Sequence, residues 1–204
     1  MNGAEALIET LYNAGVEVCF ANPGTSEMQL VAAIDRHPKM RGVLGLFEGV
    51  VTGAADGYGR MADRPAATLL HLGPGFGNGA ANLHNARRAH SPVVNIVGDH
   101  ATYHREYDAP LTSDIEGAAR PFSNWVRTSV SADALAADGA IAVAEAMRYP
   151  GAIATLIAPA NFAWEETKGA AAPIAPRSAP QADEALIRQA AEALRSGEPC
   201  ALFL

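Results

Sequence analysis

The sequence predicts an α/β fold, a mostly parallel central sheet with helices on both faces, followed by the start of a second α/β domain. Three observations predict it. Short apolar runs bounded by turn residues alternate with helix-period segments from residue 2 to residue 158. Those runs have the continuous apolar character of strands covered on both sides. Last, the tract KGAAAPIAPRSAP at 168–180 separates this block from a further helical segment and apolar run.

The elements follow in order. Residues 2–15 place Ala6, Leu7, Leu11 and Tyr12 on one helical face and stop at Gly15. Residues 16–20 read as a buried strand, and Asn22-Pro23-Gly24-Thr25-Ser26 as a turn into a helix at 27–34, with Thr25 or Ser26 as cap. A strand at 43–47 precedes a helix opening at Glu48 and running to Met61. A strand at 67–72, a helix at 76–88 and a strand at 92–98 come next. The polar stretch 100–124 has weak periodicity; after 125–130, a helix at 133–149 and a strand at 152–158 close the block. The predicted division is a first domain at 1–167, a linker at 168–180, and at 181–204 the beginning of a truncated second domain, with a helix at 181–195 and a strand from Cys200.

Composition narrows the function. The chain has 204 residues, 49% of them apolar, and a net charge of −7. That excludes a disordered chain, and it argues against a non-specific nucleic-acid binder, which needs clustered Lys and Arg. Cys19 and Cys200 form no disulfide framework and no zinc site. The N-terminus has no signal-peptide pattern, and no apolar run approaches the ~18 residues that span a bilayer. The expectation is a cytoplasmic protein.

Three segments fall at the carboxyl ends of predicted strands, the edge where open parallel sheets bind ligands. They are Asn22–Glu27, Phe47–Tyr58 and His71–Asn78. Gly73-Pro74-Gly75-Phe76-Gly77 invites a dinucleotide-binding reading, but Asn78 breaks the G-x-G-x-x-G spacing and the loop follows the third strand rather than the first. Glycines that let a helix pack close to its strand explain it better. Glu48 at a strand end and helix start has two readings. It is an N-terminal acid favoured by the macrodipole, or a partly buried carboxylate, its pKa raised by desolvation, that exchanges a proton with a ligand nitrogen. Both stand at this point.

Four segments occur in order: Phe-Ala-Asn-Pro-Gly-Thr-Ser-Glu (20–27), Phe-Glu-Gly-Val-Val-Thr-Gly-Ala-Ala-Asp-Gly-Tyr-Gly-Arg (47–60), His-Leu-Gly-Pro-Gly-Phe-Gly-Asn (71–78) and His-Ser-Pro-Val-Val (90–94). Each is weak alone. Together they resemble the N-terminal, pyrimidine-binding domain of thiamin diphosphate enzymes, nearest to the acetolactate synthase large subunit and benzoylformate decarboxylase group. Residues 181–204 resemble the start of that family's central domain.

The resemblance implies a fold, a cofactor and a set of roles. Glu48 matches the glutamate that hydrogen-bonds N1′ of the cofactor's aminopyrimidine and so promotes loss of the proton from its C2. Gly73, Pro74 and Gly75 would form a side-chain-free wall against that ring. His71 matches an active-site histidine of benzoylformate decarboxylase-like members, where acetolactate synthases carry Thr-Ser-Gly-Pro-Gly. Its competing role is a satisfied hydrogen-bonding residue. Thr25 falls where decarboxylases place a substrate-contacting serine, and its competing role is the helix cap. His100 and His104 lie near where pyruvate decarboxylases carry two adjacent histidines, but here Ala-Thr-Tyr separates them and the motif is not matched. His37, His84 and His90 read as structural or exposed, Asp114-Ile-Glu116 as a helix cap, and no metal-ligand spacing occurs.

The implied activity is decarboxylation of a 2-oxo acid, with or without carboligation. The diphosphate and its Mg²⁺ would be held by a separate C-terminal domain of a neighbouring subunit in a homo-oligomer, a homodimer or homotetramer, and FAD is possible. Those segments are missing here, so the chain is expected to be a fragment or one subunit of a split enzyme, inactive alone. The alternative is a non-catalytic assembly or regulatory paralogue.

Overall fold

The computed structural model describes residues 1–203. Six strands form one sheet: β1 (Val18–Asn22), β2 (Arg41–Leu44), β3 (Ala66–Leu70), β4 (Val93–Asp99), β5 (Trp125–Thr128) and β6 (Ile153–Pro159). Every neighbouring pair is parallel, in the order β2-β1-β3-β4-β6-β5. The helices are α1 (Gly3–Asn13), α2 (Met28–Arg36), α3 (Glu48–Ala62), α4 (Leu72–Arg88), α5 (Ile115–Ala119), α6 (Ala132–Ala146), α7 (Ala160–Trp164) and α8 (Glu184–Arg195).

Strand period places the core on both faces. On one side Val94, Ile96 and Leu156 pack with Leu7 and Leu11 of α1, Leu30 of α2 and Leu135 of α6. On the other, Val93, Val97 and Ile157 pack with Val51 of α3, Phe76 and Leu83 of α4 and Ile115 of α5. Three of the four inner strands, β3, β4 and β6, are buried throughout, as a sheet covered on both faces demands. Their buried polar groups satisfy one another: Thr68 donates to Asn95 (2.8 Å), Asn95 to Thr155 (3.0 Å), and Ser123 meets Thr155 at 2.6 Å.

Several expectations are corrected. Helix α4 begins at Leu72, four residues before the expected Phe76, so Gly73-Pro74-Gly75 is its first turn and not a loop. Pro74 is tolerated there because first-turn N–H groups have no intrahelical partner to lose, and Gly75 N donates to His71 O at 2.8 Å. The first strand starts at Val18 because Val16 N still donates to Leu11 O, closing the turn after α1 through Gly15 at φ +98°. Its partner β2 is shifted to 41–44 by the register Val18↔Arg41. Neither Thr25 nor Ser26 caps α2. Residues Thr25–Glu27 form a 3₁₀ turn, the N-cap of α2 is Glu27, and neither N-cap residue, Gly24 or Glu27, accepts a bond from its helix through its own side chain. The polar stretch 100–124 contains α5, capped by Asp114, whose Oδ1 accepts from Gly117 N at 2.8 Å; that cap was expected. The strand expected from Cys200 is absent over 200–203, which have no neighbouring strand to complete a ladder, and Leu204 lies outside the described residues.

Past Lys168 the chain changes character. Ala171 N donates to Thr10 Oγ1 (2.9 Å), and residues 172–183 then run without regular structure. Helix α8 is capped by Asp183 yet buries no residue, leaving Leu186, Ile187 and Leu194 exposed.

Candidate functional site

Topology selects the place. From β1 the chain passes through α2, on the face of α1 and α6, to the edge strand β2; from β3 it passes through α4, on the opposite face, to β4. The connections leaving β1 and β3 therefore diverge, and a crevice opens outside their carboxyl ends. Asn22–Glu27 and His71–Asn78 form its two sides. The turn after β2, which brings in Glu48, is tied to the end of β1 by Asn22 Nδ2 donating to Gly45 O at 2.7 Å.

Glu48 is the first residue of α3 and is 7% exposed. Its Oε2 accepts from Asn78 Nδ2 at 3.0 Å. Its Oε1 faces Gly75, where a Cβ would stand 3.1 Å from that oxygen and 3.4 Å from His71 Cβ. Helices α3 and α4 are held at this close approach by Thr52 donating to Gly79 O (3.0 Å) and Asn82 to Gly49 O (2.6 Å). Sequence spacing leads to Glu48 but not to Asn78, which stands in the quoted motif without a role. Glu48 is both helix-initial and buried, the position that the macrodipole favours for an acid.

On the other side of the junction lies a second carboxylate that sequence reasoning missed. Glu27 is fully buried. Its Oε2 accepts from Gly24 N (2.7 Å) and lies 2.8 Å from Nδ1 of His71. Two glycines make the room: a Cβ on Gly98 would fall 1.7 Å from Glu27 Oε1, and one on Gly24 would fall 2.3 Å from the His71 ring. Glu27 Oε1 is buried with no partner. Burial pushes the Glu27 carboxyl above the usual range, against the opposing pull of Gly24 N–H and His71. The available signal was the glutamate three residues after Gly24, the spacing of a reciprocal helix-start bond.

The remaining expected residues distribute unevenly. His71, at the N-cap of α4, is adjacent to Gly75 and to Glu27; the next residue, Leu72, is buried at φ +49°, a left-handed conformation rare outside glycine. Gly73 is approached by Ser113, whose Oγ would lie 1.9 Å from an added Cβ, so this part of the wall is covered by protein. Pro74 is exposed. Thr25 is exposed on the 3₁₀ turn beside Gly24. His100 and His104 pack edge-on with ring centroids 5.6 Å apart, beyond β4, where buried Asp99 accepts from His100 N at 2.7 Å and pairs with Arg105. Burial raises the Asp99 pKa despite both partners. His37 is structural: its Nδ1 accepts from Met40 N (2.9 Å) and its Nε2 meets Glu9 at 3.2 Å. His84 and His90 are exposed.

A buried carboxylate at the start of a helix, at the switch point of a parallel sheet and against a side-chain-free helix turn, defines a small-molecule-binding α/β domain. Residues 1–120 match the family described as thiamine pyrophosphate enzyme, N-terminal TPP binding domain, and the chain belongs to that family. It is 58% identical over all 204 residues to the Mycobacterium tuberculosis protein titled "Putative acetolactate synthase large subunit IlvX", 39% of whose length it covers. It is 36% identical over 121 residues, 59% of this chain and 22% of the other, to benzoylformate decarboxylase of Pseudomonas aeruginosa. Its fold matches the Rhodococcus jostii thiamine diphosphate-dependent 4-hydroxybenzoylformate decarboxylase with a TM-score of 0.87 at 24% identity, over 96% of this chain and 38% of that one. The chain thus spans about two-fifths of the length of the Mycobacterium tuberculosis relative.

Proposed function

We propose that this chain is the pyrimidine-binding portion of a thiamin diphosphate-dependent enzyme acting on a 2-oxo acid, by decarboxylation with or without carboligation. The carrying observation is the Glu48 carboxylate, buried at the switch-point crevice, with one oxygen held by Asn78 and the other facing Gly75, which has no side chain. A heteroaromatic ring nitrogen is a fitting partner for such a group, since it can share a proton with a carboxylate but not exchange one with an amide. When bound, the cofactor supplies a stabilised carbanion equivalent. This chain's residues orient it and handle protons: Glu48 at the ring nitrogen, Gly75 bordering the ring on the helix turn it shares with Gly73 and Pro74, His71 as proton donor or acceptor at the substrate, and Thr25 at the substrate rim.

Among the described residues no group of three or more His, Cys, Asp or Glu is placed to hold a metal ion. The proposal assigns Mg²⁺ and the diphosphate to the diphosphate-binding domain of a neighbouring subunit in a homo-oligomer. Residues 1–167, the 168–180 linker and 181–204 as the opening of a central domain complete the reading; that domain is where FAD would sit. Exposed Leu186, Ile187 and Leu194 on α8 support it, since an amphipathic helix with an uncovered apolar face calls for further packing. No described helix is long and apolar enough to cross a membrane; the location proposed is cytoplasmic. Glu48→Gln in the full-length enzyme tests the reading. Exchange of the cofactor's C2 proton with solvent deuterium is expected to fall at least ~100-fold, the scale of general acid–base catalysis. Unchanged exchange would point to the assembly paralogue instead.

A further inference from the structure

Glu27 is the most deeply buried carboxylate of the crevice, and the proposed chemistry gives it no task. Its position is nonetheless constructed with care. Gly24 and Gly98 each lack the one atom that would collide with the Glu27–His71 pair, and the backbone N–H of Gly24 fixes Oε2 at 2.7 Å. His71 Nδ1 sits 2.8 Å from that same oxygen. Its Nε2 has no hydrogen-bond partner among the described residues, and the side chain is 24% exposed at the crevice. A carboxylate can only accept, so the geometry dictates which ring nitrogen carries the hydrogen when the ring is neutral.

We propose that Glu27 is the positioning residue of His71. Its buried oxygen accepts Nδ1–H, locks the ring against Gly24, and leaves Nε2 bare toward the crevice as the atom that takes up or returns a ligand's proton. This deepens the proposed function and rests on its reading of the edge as a ligand cleft. The orphaned Oε1 fits the assignment. An interior built only for stability would not bury a carboxylate oxygen without a partner, whereas a fixed ring tautomer is a return that stability alone does not explain.

The test is spectroscopic and uses the 204-residue chain with ¹⁵N-labelled histidine. Long-range ¹H–¹⁵N correlation at mildly alkaline pH reports the tautomer of each of the six histidines, with His71 assigned as the signal lost in His71→Ala. The expected result is Nδ1 in the protonated form and Nε2 bare. In Glu27→Met, which accepts nothing, the Nδ1–H to Nε2–H ratio is expected to fall by more than about tenfold, the scale of a charge-assisted hydrogen bond. A wild-type His71 in the Nε2–H form would overturn the proposal, whether or not the variant folds. So would a folded Glu27→Met with an unchanged His71 signal. Neither outcome bears on C2 proton exchange, so failure here and failure of the cofactor reading are distinguishable.

Discussion

Glu27 and Glu48 are the same residue type, both buried, both at the start of helical structure, on two sides of one sheet edge. They are treated differently. Glu27 is walled in: no exposed surface, one oxygen shared by a backbone N–H and a histidine, the other with no partner. Glu48 keeps 7% of its surface, has only the amide of Asn78 as partner, and fronts a glycine at contact distance. The difference teaches that a buried carboxylate is not one kind of object. One is enclosed so that it can hold a neighbour still. The other is held from one side by Asn78, and in the function proposed for it the free oxygen is the one that meets a ligand.

The strongest way to break this contrast is at the glycines that create it. Gly98→Ala places a methyl 1.7 Å from Glu27 Oε1, next to the carboxyl end of β4, where the strand is still buried and paired with β6. The carboxylate must leave, taking its bonds to Gly24 and His71 with it. Overpacking together with the broken buried bonds is expected to cost about 2–4 kcal/mol, read as a lowered denaturation midpoint. A variant as stable as wild type would show that Glu27 is not enclosed as described.

A milder change sharpens the same point through pH. Because burial raises the Glu27 pKa in the folded state, folding favours its protonated form. The stabilisation it contributes is present in full below the unfolded value of about 4.3 and is lost as pH rises through the folded pKa. Glu27→Gln removes that dependence. The wild-type stability relative to Glu27→Gln is therefore expected to decline as pH is raised from about 4, measured by denaturant titration across the range. Asp99, whose pKa is also raised, has the same sign but is common to both proteins and cancels in the difference. A difference that grows with pH would reverse the assignment.

The two glutamates also differ in how far sequence could reach them. Period and run length were enough for the parallel sheet and for most helices, because β3, β4 and β6 are apolar on both faces and read so. The motifs led to Glu48, which follows an apolar run directly. Glu27 hid among turn residues, since its burial depends on Gly98, 71 positions away, and on the ring of His71, neither visible in local pattern. The early start of α4 was missed for a related reason. A Gly-Pro-Gly segment argues against helix by propensity, and only the packing of Gly75 against Glu48 and of Gly73 against Ser113 explains why it is helical here. Helix α5 and strand β5 were obscured by shortness, at five and four residues.

The smallest expected effect is the sharpest test of the open side. In Gly75→Ala the added Cβ would stand 3.1 Å from Glu48 Oε1, 3.3 Å from the Leu70 carbonyl carbon and 3.4 Å from His71 Cβ. These contacts are tight but not prohibitive, and a shift of a few tenths of an ångström relieves them. Alanine in a helix is also favoured over glycine by about 0.5–1 kcal/mol, which offsets the crowding. Stability is therefore expected to stay within about 1 kcal/mol of wild type. Function should not share that tolerance, because the methyl occupies the approach to the one Glu48 oxygen that has no protein partner. If the proposed function holds, C2 proton exchange of the bound cofactor is expected to drop well beyond what the stability change accounts for. The same alanine substitution thus separates the two carboxylates: at Gly98 it costs folding, and at Gly75 it leaves folding intact while closing the path to Glu48. If Gly75→Ala instead exchanged at the wild-type rate, the ligand would reach Glu48 from another direction, and the contrast between an enclosed and an accessible carboxylate would have to be redrawn around Asn78.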